Sequence, residues 1–309
     1  MPRTPTLGRA YFALQAAMGA AWWIAVAVLP PVRLATLGDL APLPVALLDV
    51  PLFVVGSLLA ASGLLVAARV ATGWTCLVAL LLVGYSTVTG QAGAGAVLMV
   101  AAAGGSVTAL LALLDRGVPV SLLLRGPFRF RPARAGRRRS AYLAATLAQA
   151  ALFWGVLLIG VPTLLLLLEQ RWALHASWGG GIPVGAALLV AATALGVAAA
   201  AAMSLRGEGT PLPAATANRL VVAGPYRVVR NPMAVAGVLQ GLAVGAMLSS
   251  WFVVLYALAG AVLWHVLIRP PEEADLQRRF GTAYLRYRAH VRCWVPAIRP
   301  DGGARRTAP

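Results

Sequence analysis

Charge is scarce in this 309-residue chain, and lysine is absent. Charged residues make up 11% of the chain, against roughly 25% in an ordinary soluble domain. With 60% hydrophobic residues and a mean hydropathy of +0.80, that scarcity excludes a soluble enzyme, a disordered chain and a coiled coil. Cysteine is equally rare. Cys76, in an apolar run, and Cys293, in the C-terminal region, make neither a disulfide framework nor a zinc site. The three histidines are not spaced as metal ligands, so no metal is expected. Nine acids stand against 26 arginines, a net charge of +17. In so apolar a chain this excess marks a cytoplasmic membrane face rather than a nucleic-acid partner.

What is present is apolar length. A helix needs about 20 apolar residues to cross a bilayer. Eight stretches approach that, near Tyr11–Leu29, Pro51–Ala68, Trp74–Thr89, Gly95–Leu114, Tyr142–Leu168, Ile182–Leu205, Met233–Ser249 and Trp251–Ile268. The expected fold is all-α: a polytopic transmembrane bundle of about eight spans with a C-terminal cytosolic amphipathic helix. The first stretch, behind Arg3 and Arg9, has the outline of a signal peptide. Leu29-Pro30-Pro31-Val32-Arg33 follows it instead of a small-residue cleavage site, so it reads as a retained span. The third stretch is short and suggests a tilted or partly re-entrant segment.

Arginine placement orients the spans. With a cytoplasmic N-terminus, Arg33 and Arg171 are the two arginines outside, and the other 24 fall in cytoplasmic segments, including a 69–73 turn. Both termini are then expected inside, in the inner (plasma) membrane of a bacterium. The organisation expected is a four-span module over 1–115, an arginine-rich cytoplasmic linker over 116–140, a four-span core over 141–297 and a disordered tail over 298–309. The linker arginines serve topogenesis and attract anionic lipid. Asp49 and Gln91, in the first module, read as interfacial residues.

Polar information concentrates after residue 205. Asn218-Arg219-Leu220-Val221 leads to Gly224-Pro225-Tyr226, a turn signal, and then to Arg227-Val228-Val229-Arg230-Asn231-Pro232-Met233. Asn231 reads as an N-cap and Pro232 as a first helical residue. With Arg227 and Arg230 beside it, this helix start is expected to form an anion-binding corner. Gly237, Gly241 and Gly245 recur every four residues, so a neighbouring backbone can approach, and the groove can also leave room for a cofactor. Ser249-Ser250 makes a tight connection, hence a helical hairpin. Beyond it come His265, read as structural, then Arg269 and the acidic Glu272-Glu273-Ala274-Asp275, then arginines interleaved with aromatics in an interfacial helix.

Taken in order, these pieces resemble the isoprenylcysteine carboxyl methyltransferase and phospholipid methyltransferase superfamily of integral membrane enzymes. The residues that carry the likeness are Gly224-Pro225-Tyr226, Arg230-Asn231-Pro232-Met233-Ala234, the hairpin, Glu272-Glu273, Phe280-Gly281, Tyr284, Tyr287 and Pro296, over about residues 205–297. The resemblance implies a methyltransferase-like core that moves a methyl group from S-adenosyl-L-methionine to a lipophilic or membrane-embedded acceptor. It implies cofactor contacts at Asn218, Arg219, Leu220, Val221, Tyr226, Arg230, Asn231, Pro232, Met233, Glu272 and Glu273. It also implies catalytic roles for Arg269, Glu272 and Glu273. Asn231 stands where the family has histidine and Ala234 where it has tyrosine, which turns the expectation away from an isoprenylcysteine acceptor. Two other readings are a nicotinamide-dependent membrane reductase of related fold and a non-catalytic membrane protein.

Overall fold

The computed structural model describes residues 4–114, 139–208 and 217–296. Most of the arginine-rich linker and the whole of the expected tail lie outside the described residues. Among the described residues there is no strand. Helices long and apolar enough to cross a membrane cover Pro5–Val28, Pro42–Ala61, Leu65–Thr89, Gly93–Leu113, Leu147–Arg171, Gly181–Arg206 and Trp251–His290. In the last of these the apolar residues end at Ile268. Charged residues begin at Arg269, so the membrane-crossing part is 251–268. An eighth apolar helix, Pro232–Leu248, has 17 residues. It extends about 25 Å, slightly less than the ~30 Å hydrocarbon layer. The chain is an all-α polytopic bundle and an integral membrane protein, as its apolar runs imply.

Two expectations are corrected. The second span starts earlier, at Pro42, and stops at Ala61; the third is a full 25-residue helix, Leu65–Thr89, neither short nor re-entrant. The break falls at Ser62-Gly63-Leu64, where Gly63 takes a φ of +102° that side-chain-bearing residues avoid. Arg69, expected in a turn, lies inside the helix near its start.

Proline shapes the spans. Three π-helical segments occur among the described residues: Val50–Val55, Gly155–Gly160 and Trp264–Ile268. The first contains Pro51, and the others end two residues before Pro162 and Pro270. A proline within a helix has no N–H for the carbonyl four residues back, and the local ladder shifts to a wider turn.

The described residues form two compact units. One consists of those up to Val120 with Leu165–Ala176; the other of those from Ser121 to Leu164 and from Ser177 on. The first holds α1 (Thr4–Val28), α2 (Pro30–Leu37), α3 (Pro42–Asp49), α4 (Gly56–Ala61), α5 (Leu65–Thr89) and α6 (Gly93–Leu113). Its core packs Phe12 against Ala60, Ala67, Ala68, Ala71 and Ala109. Such small residues let helices approach where no water drives association. Buried polar groups tie the same helices. Gln15 donates to the Ser57 hydroxyl (3.0 Å) and accepts from the Ser106 hydroxyl (2.7 Å). Asp49, expected to be interfacial, is instead buried and accepts from the indoles of Trp23 (2.9 Å) and Trp74 (2.8 Å).

A helical run follows as α7 (Arg139–Trp154) and α8 (Val161–Arg171). The second unit then carries α9 (Gly181–Arg206), α10 (Pro232–Leu248), α11 (Trp251–Leu263) and α12 (Arg269–His290). α9 and α10 run antiparallel, with Gly185 against Ala243 and Met247 and the Gln240 amide donating to the Thr193 hydroxyl (3.0 Å). α10 and α11 form the expected hairpin. A Cβ on Gly241 would lie 2.8 Å from that of Ala257, and one on Gly245 would lie 3.0 Å from the Val254 nitrogen. Gly237 has nothing within 4 Å of where a Cβ would stand, so two of the three glycines serve the packing. The Ser250 hydroxyl caps α11 by accepting from Val253 N (3.2 Å).

Candidate functional site

The site is assembled from the segment between α9 and α10, the start of α12 and the segment after it. The first of these turns back on the end of α9. The Asn218 and Arg219 amides both donate to the Gly207 carbonyl (2.7 and 3.1 Å), and the Asn218 side chain donates to the Glu208 carbonyl (3.0 Å). Gly224, at φ +61°, opens a 3-10 turn, Gly224–Arg227, that carries Tyr226 inward. Val221, Tyr226 and Met233 then share an apolar cluster with Ala199, Ala202 and Ala217. The Tyr287 hydroxyl donates to the Tyr226 carbonyl (2.7 Å) and fixes α12 to this turn.

α12 is bent. Gly281 has φ +52° and ψ −129°, so the helix stops and restarts there. The consequence is large. Fifteen residues of straight helix would separate positions 273 and 288 by about 22 Å. Instead the Arg288 Nε lies 3.7 Å from the Glu273 Oε2. Glu273 Oε1 is 3.0 Å from Arg230 Nη1 and 3.4 Å from Arg269 Nη1. One buried carboxylate therefore gathers three guanidinium groups, from the start of α10, the start of α12 and the second half of α12. Tyr284 and Tyr287 pack beside it with Val291 and Leu220.

Glu272, the preceding residue, is placed differently. It is partly buried and, among the described residues, makes no hydrogen bond or ion pair. Burial, then the carboxylates of Glu273 and Asp275, push its pKa up to about 7. The Tyr226 hydroxyl is held above its usual range by burial first and by Glu272 second. Arg230 adds a complementary feature, since its Nε is buried without an acceptor. A free acid and a free buried donor thus flank the saturated Glu273.

Residues 291–296 strap this centre. The Arg230 amide donates to the Arg292 carbonyl (2.9 Å), the Asn231 side chain to Cys293 Sγ (3.2 Å), and the Trp294 indole to His265 Nδ1 (2.8 Å). An imidazole nitrogen that accepts carries no proton, so His265 holds its proton on Nε2. The strap corrects the expected cap. Asn231 occupies the N-cap position, but its side-chain oxygen makes no capping bond, and its amide nitrogen donates to Cys293. The first amides of α10 therefore lack a side-chain acceptor from Asn231.

The structure brings Arg230, Arg269 and Glu273 into direct contact, sets Val221, Tyr226 and Met233 in one wall, and buries Pro232 completely. Leu220 belongs to the tyrosine cluster of α12, and Asn218 shapes the turn through its bonds to Gly207 and Glu208. Arg219 stands apart. It is exposed and pairs with Glu208 (3.1 Å). Arg227 is exposed as well. Sequence reasoning missed Arg288, Cys293 and Trp294. The signal for Arg288 was present in Phe280-Gly281, because a glycine inside an amphipathic helix marks a possible reversal. No local signal announced the partners of Asn231 and His265.

Residues 182–283, about a third of the chain, match the family model described as phospholipid methyltransferase. The match runs from the start of α9 to just past the kink in α12, so it contains the loop, the hairpin and both glutamates. It bears out the resemblance read from the motifs. No curated protein and no solved structure matches the chain.

Proposed function

We propose, from the premise that residues 182–283 belong to the phospholipid methyltransferase family, that the protein transfers a methyl group from S-adenosyl-L-methionine to a lipophilic, membrane-embedded acceptor. The observation that carries this reading is the pairing of unsatisfied groups around Glu273. The buried Arg230 Nε lacks an acceptor, and Glu272 lacks a cation. A ligand with one carboxylate and one ammonium answers both, and the amino-acid part of this cofactor has that form. The apolar wall of Val221, Tyr226 and Met233 suits its flat, uncharged part.

Arg230 and the first amides of α10 are assigned to the carboxylate, where the helix dipole adds to the attraction. Glu272 takes the ammonium. Glu273 keeps Arg230, Arg269 and Arg288 in position. Arg269, held between Glu273 and the His265 carbonyl (3.3 Å), is assigned to the acceptor side. When bound, the cofactor supplies an activated methyl on a sulfonium for in-line displacement. The protein's part is alignment and exclusion of water. The strap over Arg230, Asn231 and His265 serves that exclusion. By the positive-inside rule the site lies at the cytoplasmic face.

The test is transfer of radiolabelled methyl from S-adenosyl-L-methionine into a bacterial lipid extract by the purified protein. The expected outcome is labelled lipid that disappears in Arg230→Ala. No label in any lipid fraction contradicts the assignment, and NADPH-dependent reduction of the extract would place the protein among membrane reductases.

A further inference from the structure

We infer that Trp294 and His265 form an acid-released latch, which holds residues 291–296 closed over the polar centre and opens when His265 takes a proton. The inference rests on the proposed function only for what the strap covers; the latch stands on its own contacts.

The latch is built on the π-helical segment Trp264–Ile268. Such wide turns recur at functional sites. Here two consecutive residues, Trp264 and His265, meet one ring of the strap. The Trp294 ring lies edge-to-face on Trp264, with centroids 5.2 Å apart, and tilted against His265 at 6.2 Å. The contact with Trp264 is apolar and indifferent to pH. The contact with His265 is not. An indole N–H can only donate, so the 2.8 Å bond requires a bare Nδ1 on the imidazole. Histidine is the side chain that changes charge between pH 5 and 8. A proton on Nδ1 would set two N–H donors against each other with no acceptor between them, and the indole must leave. His265 is half-buried, so the ring is not sealed from protons.

The charged and titratable groups of the centre beneath the strap are Arg230 at the start of α10 and Arg269, Glu272, Glu273 and Arg288 of α12. Arg292 and Cys293 belong to the strap itself. Arg269 donates to the His265 carbonyl rather than to the ring (3.3 Å). Glu273 holds both Arg230 (3.0 Å) and Arg269 (3.4 Å). Arg292 is exposed. Among the described residues, the imidazole is hydrogen-bonded by Trp294 and by none of these groups.

Cys293 reports the state of the latch. It is half-buried, adjoins Trp294 in the chain and accepts from the Asn231 side chain (3.2 Å). A thiol is a weak acceptor, so that bond alone holds the strap poorly once the indole is expelled. Protonation of histidine at a packed contact is a physical route to a switch. Its sign is fixed: the strap is closed at pH 8 and open at pH 5.5.

The test follows the Cys293 thiol of the full chain in lipid nanodiscs, on a Cys76→Ala background that leaves one cysteine. A dithiodipyridine reagent labels thiols in acid as well as at neutral pH. Each rate is divided by that of the denatured chain at the same pH, which removes the thiol's intrinsic chemistry. The expected result is normalised labelling at least tenfold faster at pH 5.5 than at pH 8. His265→Gln keeps a side-chain acceptor but takes no proton in this range, and Trp294→Phe keeps a ring but loses the donor. Each should label equally at the two pH values. The parent's profile needs no variant and stands if either variant folds poorly. Equal normalised rates in the parent, faster labelling at pH 8, or a parent-like profile in either folded variant overturns the latch. The measurement contains no cofactor, so its outcome is separate from that of the methyl-transfer test.

Discussion

Glu272 and Glu273 are neighbours of the same chemistry in opposite circumstances. Glu273 meets three arginines, whereas Glu272 meets none and is held near pH 7 by burial and by adjacent carboxylates. The raised value has a signed consequence for the ligand-free protein. Between about 4.5 and about 7 the unfolded chain has lost this proton while the folded chain keeps it. This contribution to stability is therefore complete below that window, declines as pH rises through it, and levels off above. Glu272→Gln should be more stable than the parent at pH 8 and should lose the advantage near pH 4.5. Tm against pH in detergent measures it, and equal profiles would contradict the placement of Glu272. Glu273→Ala acts by another route. It leaves Arg230 buried and unpaired, a loss on the order of 3–5 kcal/mol. Glu208→Ala removes an exposed pair and should cost about 0–1 kcal/mol. Denaturant titration of the two variants reads the contrast, and equal losses would remove Glu273 from the centre of the account.

Elements carry information that single residues lack. The contact of Arg288 with Glu273 exists because α12 reverses at Gly281, where nothing stands within 4 Å of a would-be Cβ. The requirement there is conformational, not spatial. Gly281→Ala should cost about 1–3 kcal/mol, and Gly281→Asn a similar amount, because φ +52° with ψ −129° lies outside the left-handed helical basin that asparagine tolerates. Unfolding of both variants with a count of cofactor sites checks this; an Ala variant as stable as the parent would show that the bend is not required. The same scale explains what the sequence concealed. Apolar runs announce spans, but Gly63, not the Arg69–Gly73 stretch, ends the second one, because a single φ of +102° outweighs a polar-looking patch. Asn231 has the residue type of a cap, yet Cys293, 62 residues later, takes its amide. Tertiary partners at that separation leave no local trace.

At the scale of the whole molecule, the membrane class was legible because composition dictates it: so few charges and so many apolar residues admit little else. The meeting of Arg230 with Glu273 was legible too, since both flank one short hairpin whose ends must return to the same surface. The detailed allocation of charge was not, because it depends on a kink and a strap that sequence spacing does not measure. The cluster of Asp39, Tyr85 and Gln91 in the first unit was hidden for a similar reason. Gln91 read as an interfacial residue, and the fold brings Asp39 and Tyr85 to it. In the proposed function, one polar centre, built from the start of α10 and the start of α12, grips a zwitterionic nucleoside cofactor. Its most direct test is calorimetric titration of the detergent-solubilised protein with S-adenosyl-L-methionine at pH 8, beside Glu272→Gln. One site per chain is expected in the parent and at least tenfold weaker binding in the variant. Absence of binding at millimolar cofactor, or equal affinity in the two proteins, would contradict it.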